Sequence, residues 1–369
     1  MALILVPVVA LCAIAAAVGA WRLQHKVPGA AALGIADYVS MGLVGWDSGW
    51  YKAIAEQGYS YTPGVQSSVA FFPLYPLAIR ALMALGASVY SGGILVTLLC
   101  GPLAVVLFTR WARTWVDDRT ALQAGLLLTL YPFSFYLYGV MYSDALFLLL
   151  VVSAFLLLEK GQLVPAVLLG AVATAARPIA PAVVLGLLAR RLEWKHSRGE
   201  RWSLMDLLPV FSAFGFVCYV LYLKQQFGAP FAFVETQGSP GWDQAAGWHT
   251  WLKVHWFHVV FLEGNNAEVI LRYSSHALLA VISLLLVWPT VRLLGWGYGL
   301  FSLAVVGLPI VGTKDFMGMG RYLIAAFPLF LTGALLLRER PRLRKAILSL
   351  SAVVIVLLSW AFGRELYIS

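Results

Sequence analysis

The sequence predicts an all-α polytopic membrane protein, and three observations predict it. Of its 369 residues 61% are hydrophobic and only 12% charged, far from the balance of soluble domains. Apolar runs recur along the whole length with short polar breaks. Lys and Arg, nine in excess of Asp and Glu, gather between those runs, as they do in cytoplasmic loops. That clustering reads as topology marking and gives no nucleic-acid surface. No detached soluble domain is visible, so 1–369 reads as a single transmembrane domain.

Eleven candidate spans follow in order, at 2–20, 91–110, 121–138, 141–159, 162–176, 178–190, 205–224, 270–290, 294–312, 320–338 and 344–363. Several fall short of the ~20 residues a full crossing needs. The run from Ala2 to Ala20 ends in small residues but lacks the basic start of a secretory signal, and reads as a retained span. Segment 69–87 is excluded because Pro73, Pro76 and Arg80 interrupt it. Its Phe71, Phe72 and Tyr75 suit the headgroup region, so an interfacial helix is expected there. The three basic clusters are Arg110 to Arg119, Arg190 to Arg201 and Arg338 to Lys345. Placed together in the cytoplasm, they put the N-terminus inside, the C-terminus outside, and loops 21–90 and 225–269 on the outer face.

With that topology scattered polar residues converge outside: Asp47, Lys52 and Glu56, then Tyr142, Ser143 and Asp144, then Arg177, then Lys314, Asp315, Arg321 and Tyr322. An acid and several cations beside apolar surface suit a lipid-linked phosphate substrate. Each residue also has a plainer role open to it. Asp47 can N-cap the helix suggested by "SGWYKAIAEQ", and Asp144 suits a helix N-terminus. Arg177 and Arg321 can snorkel to the interface. Glu56 can pair with Lys52 at i, i+4, and Lys314 with Asp315 can form a solvated turn. His249, His255 and His258 sit among tryptophans and read as a loop helix with its aromatic face on the membrane. Asp117 and Asp118 are expected to be solvated or to cap a span. Cys12, Cys100 and Cys218 are expected to be buried thiols, with no metal-like spacing.

"WDSGWYKAIAEQGY" with "AFFPLYPLAIRAL" resembles the signature of the PIG-V family, the GPI mannosyltransferase II enzymes and their bacterial relatives among the GT-C membrane glycosyltransferases. "YPFSFYLYGVMYSDALF" resembles the family's second motif and "GRYLIAAFPLF" its late Arg-Tyr motif. The resemblance implies a GT-C fold with about eleven transmembrane helices and interfacial helices in the first outer loop. It also implies a polyprenyl-phosphate donor, typically of mannose, as with dolichyl-phosphate mannose. Carried over by position, Asp47 beside Trp46 matches the catalytic acid, Tyr142 to Asp144 the second motif, and Arg321 with Tyr322 the late motif. The chain departs from the pattern in having no acid between Tyr59 and Ala70, and in showing only "ARPIAP" for an Arg-Ser-Asn-Gly-like motif. Those departures bear on the acceptor, for which a GPI precursor is a poor match in a chain this short and bacterial in style.

The expected reaction is single displacement at the outer face of a bacterial plasma membrane. Asp47 acts as base; Arg321, Tyr322, Arg177 and Lys314 hold the donor phosphate; Trp46, Tyr142, Ser143, Asp144 and Glu56 hold substrate. The acceptor is a lipid, glycan or protein, membrane lipids surround the site, and no metal or other cofactor is demanded. The rival readings are a polyprenyl-lipid transporter or flippase, expected to show repeated halves and interrupted spans, and a non-catalytic membrane scaffold.

Overall fold

A computed structural model describes residues 1–25 and 33–368. Residues 26–32 of the predicted first outer loop, and Ser369, lie outside the described residues. Every regular element among the described residues is helical. The first half carries α1 (Ala2–Gln24), α2 (Ile35–Leu43), α3 (Ser48–Gln57), α4 (Leu74–Ala84), α5 (Val89–Ala112), α6 (Asp118–Leu130), α7 (Asp144–Glu159), α8 (Leu163–Thr174) and α9 (Ala180–Ser197). A 3₁₀ stretch, Leu204–Ala213, runs into α10 (Phe214–Phe227). Three one-turn helices follow, α11 (Ala232–Glu235), α12 (Trp248–Trp251) and α13 (Val254–Phe257). The remainder is α14 (Ala267–Leu294), α15 (Trp296–Gly312), α16 (Met319–Tyr322), α17 (Pro328–Leu336) and α18 (Pro341–Gly363).

Each of the eleven candidate spans falls on one of these helices or helix pairs. Five are long and apolar enough to cross a membrane, namely α1, α5, the Leu204–Phe227 stretch, α14 and α18. A sixth is added if α16 and α17, bent by 92°, make one span. Proline explains two of the departures. The expected span 121–138 is α-helical only to Leu130, because Pro132 disfavours helix at the residue before it and restarts the chain as a 3₁₀ turn. Pro328 likewise separates α16 from α17 within 320–338.

The chain forms two compact units. One comprises Met1–Gly58, Leu74–Leu156 and Gly333–Ile368. Its first and last helices, α1 and α18, pack backbone to backbone: a side chain at Gly19 would collide with the Trp360 carbonyl, and one at Gly363 with the Ala16 carbonyl. Such contact lets dispersion and close packing hold helices together where lipid supplies no hydrophobic drive between them. Tyr75 of α4 is fully buried in this unit and donates to the Gly93 carbonyl of α5 at 2.8 Å.

The other unit comprises Tyr59–Pro73 and Leu157–Thr332. Arg190 of α9 makes a two-pronged bond to Glu159, at 2.6 and 3.0 Å, and a third bond to Glu193 at 2.8 Å. The Tyr298 hydroxyl of α15 donates to Glu159 and the Gly297 amide to Glu193, so one buried ion cluster ties α9 to α15. Arg191 pairs with fully buried Asp206 at 2.7 Å. Two arginines expected only to mark topology are therefore structural, since a charge taken from water must find its partners inside.

The expected interfacial aromatic cluster is corrected at two of its three rings. Phe72 is buried in a core of Val69, Tyr219, Leu223, Ala232 and Phe233, and Tyr75 in the core of the other unit. Phe72 and Tyr75 are thus core residues, while Phe71 stays half-buried, its ring 6.2 Å from that of Trp242. Cys12 is buried, but Cys100 is only half-buried and Cys218 is exposed on a helix face, against the expectation of buried thiols.

Candidate active site

The Asp47 turn is built by the second motif. The buried Tyr142 hydroxyl accepts from the Asp47 amide at 3.1 Å and donates to the Gly45 carbonyl at 3.4 Å. Ser48 Oγ accepts from the Gly45 amide and donates to the Met141 carbonyl, while the Met141 amide donates to the Leu43 carbonyl. Tyr51 of α3 shares a 2.9 Å hydrogen bond with Ser143. Two segments about ninety residues apart thus form one hydrogen-bonded knot, in which buried polar groups find partners as they must.

Asp47 stands at the N-cap position of α3, yet its side chain makes no capping hydrogen bond. A carboxylate at a helix start ordinarily accepts from the second or third amide of the helix; this one is half-buried and does not. Trp46 before it takes a left-handed backbone, φ 51°, is half-exposed, and lies edge-on to Tyr367 with ring centroids 5.0 Å apart. Asp144 is buried in the first turn of α7, where the helix dipole favours an anion. Glu56 is exposed and pairs with Lys52 at 2.9 Å, the i, i+4 contact that the spacing allows.

The remaining expected residues belong to the other unit. Arg177 is buried there, and its guanidinium lies 5.8 Å from the centroid of the Tyr322 ring, with that of Arg321 5.4 Å from the same ring. Both lie within the ~6 Å over which a ring attracts a cation. Lys314 is turned aside: its amine pairs with Asp243 at 3.3 Å and its amide donates to Gln244.

Two residues escaped the sequence reading. The His276 ring of α14 accepts from the Gly320 amide at 3.2 Å, fixing the residue before Arg321; a histidine inside a candidate span is a signal that could have found it. Lys253, buried and left-handed at φ 56°, donates to the Thr313 carbonyl and lies over the Phe316 ring. Burial pushes its ammonium down to about 8, against the opposing pull of Asp315. His255 stands 3.9 Å from Asp315. Nothing in the aromatic run around Lys253 distinguishes it. Asp117 caps α6 through Thr120, as expected, and Asp118 pairs with Arg113. Among the described residues no three His, Cys, Asp or Glu side chains gather as a metal ion would need.

The helical architecture is that of the GT-C membrane glycosyltransferases. The crystal structure of ArnT from Cupriavidus metallidurans bound to undecaprenyl phosphate matches with a TM-score of 0.52 at 14% identity, over 88% of this chain and 73% of that one. A looser match, TM-score 0.46 and 15% identity over 97% of this chain and 53% of the other, is to the Archaeoglobus fulgidus oligosaccharyltransferase. The chain belongs to the PIG-V mannosyltransferase family, whose model matches residues 14–236 and so takes in the first and second motifs. Human GPI alpha-1,6-mannosyltransferase 2 is 31% identical over 226 residues, 56% of this chain. That match spans 43% of the human protein, less than half its length.

Proposed function

We propose that the protein transfers mannose from a polyprenyl-phosphate donor to a lipid, glycan or protein hydroxyl on the outer face of a bacterial plasma membrane. The observation that carries the reading is the use made of Asp47. Its backbone is locked by Tyr142 while its carboxylate caps nothing, an arrangement suited to a positioned base. In the proposed step the acceptor oxygen attacks the anomeric carbon, its proton passes to Asp47, and the bond from that carbon to the phosphate oxygen breaks. The anomeric configuration inverts, and the departing phosphate carries its charge to Arg321 and Arg177. Phosphate leaves readily, so neither a general acid nor a metal is assigned. The topology with the N-terminus inside and both long loops outside belongs to the same proposal, supported by the three basic clusters.

Membranes containing the protein, given labelled polyprenyl-phosphate mannose, should release polyprenyl phosphate and label an acceptor, with or without a chelator. Loss of transfer on chelation would overturn the metal-free step, and undiminished transfer in Asp47→Asn would overturn the base. One observation favours a transporter, the 92° break between α16 and α17, since interrupted spans serve such sites. Movement of intact donor across the bilayer without any labelled product would establish that reading instead.

A further inference from the structure

Unit 1 holds a cavity of about 220 Å³ that no step above uses. Leu23 of α1, Met41 of α2 and Val44 give it apolar walls; Ser40, Tyr90 of α5 and Glu365 give it polar groups. It borders the Asp47 turn on two sides. Val44 lies three residues before Asp47, and Tyr90 has the Lys52 ammonium of α3 6.0 Å from its ring centroid. Trp46 packs on Tyr367, which ties the segment after Glu365 to the residue before Asp47. Trp46 and Glu365 are both left-handed, at φ 51° and 56°. The left-handed Glu365 closes the end of α18, while the left-handed backbone of Trp46, directly before Asp47, is strain of the kind that gathers at functional sites.

The geometry points to this cavity as the seat of the acceptor, a headgroup that bears hydroxyls and no negative charge. This rests on the transferase reading above. A hydroxyl, a phenol and a carboxylate supply the donors and acceptors that a polyol needs, and the apolar walls take its C–H face. Among the described residues Glu365 makes no ion pair, so its charge disfavours an anionic ligand. Charge therefore favours an uncharged headgroup at Glu365. The volume is below the ~300–1,000 Å³ that encloses a drug-sized ligand, which suits one headgroup unit rather than an oligosaccharide.

The test uses the full chain in phosphatidylcholine nanodiscs and a diazirine-bearing octyl glucoside, with cross-links mapped by mass spectrometry. Labelling is expected at Met41 and Tyr90, competed by octyl glucoside and not by methyl glucoside. Met41→Trp, which fills the cavity, and Glu365→Gln, at an exposed site, should each lower it about tenfold at unchanged unfolding temperature. If methyl glucoside competes equally, a free glycan replaces the lipid-borne headgroup. Labelling that survives Glu365→Gln overturns the proposal, as does equal labelling by a diazirine-bearing octyl phosphate. Binding needs no donor, so the two readings fail separately. Cavity labelling without any transfer in the wild type would overturn the transferase alone, and transfer without cavity labelling would overturn the acceptor seat alone.

Discussion

Replacing Asp47 by Asn separates a base from a cap. Asn caps a helix about as well as Asp but takes no proton at neutral pH. The bonds that hold the turn are made by the Asp47 amide, Tyr142, Ser48 and Met141, and the substitution keeps them. Loss of a real cap costs ~0.5–2 kcal/mol. Here the carboxylate makes no capping bond, so the unfolding temperature should move by less than about 3 °C. Loss of a general base lowers a rate by ~10²–10⁴, which is ~2.7–5.4 kcal/mol of barrier at ~1.36 kcal/mol per decade. The assay is the initial rate of mannose transfer from labelled polyprenyl-phosphate mannose in nanodiscs at several donor concentrations. The fall should lie in kcat, with the donor KM little changed. Transfer retained within about threefold, or a loss matched by the fraction unfolded, would refute the reasoning.

Tyr142→Phe removes the hydroxyl that serves both the Asp47 amide and the Gly45 carbonyl; it should cost ~1–3 kcal/mol of stability and lower transfer without abolishing it, as thermal melts and initial rates would show. Arg177→Gln and Arg321→Gln should each raise the donor KM about tenfold or more and leave acceptor KM unchanged, and a reversed pattern would remove the phosphate assignment. Lys253, lowered by burial to about 8, holds fewer protons folded than unfolded between that value and the ordinary ~10.4 of lysine. Stability should therefore rise with pH across that window. Melts from pH 7 to 10.5 should show this rise relative to Lys253→Met, and parallel curves for the two proteins would contradict it.

Helix positions were largely legible because an apolar run in lipid has one way to satisfy its backbone, and α1, α5, α14 and α18 lie where the runs do. Breaks were legible only in hindsight. Pro132 and Pro328 stand in runs apolar enough to read as spans, and hydropathy has no term for a missing amide. Two rings of the aromatic run leading into α4 differ from expectation for a related reason. Phe72 and Tyr75 are equally at home at a membrane interface and in a protein core, and only the tertiary partners, Tyr219 for one and Gly93 for the other, decide. The candidate site was legible as two motifs, while their joining through Tyr142 was not, since a phenol's partner ninety residues away leaves no mark on local pattern. Lys253 and His276 were passed over because each acts on a backbone group, the Thr313 carbonyl and the Gly320 amide, and backbone partners have no residue type.

The packing of α1 on α18 has a consequence for how the protein is made. A helix whose Gly19 fits against α18 enters the membrane well before that mate is made. Roughly 340 residues separate the two, so at ~5–20 residues per second the wait is about 20–70 s. Throughout that time Gly19 lacks the neighbour it is shaped for, while Ala16 can already take its other partner, Gly42 of α2. A bulky side chain at Gly19 would thus spare insertion and strike the docking of α1 on α18, yielding inserted chains in which those two helices stay open to protease.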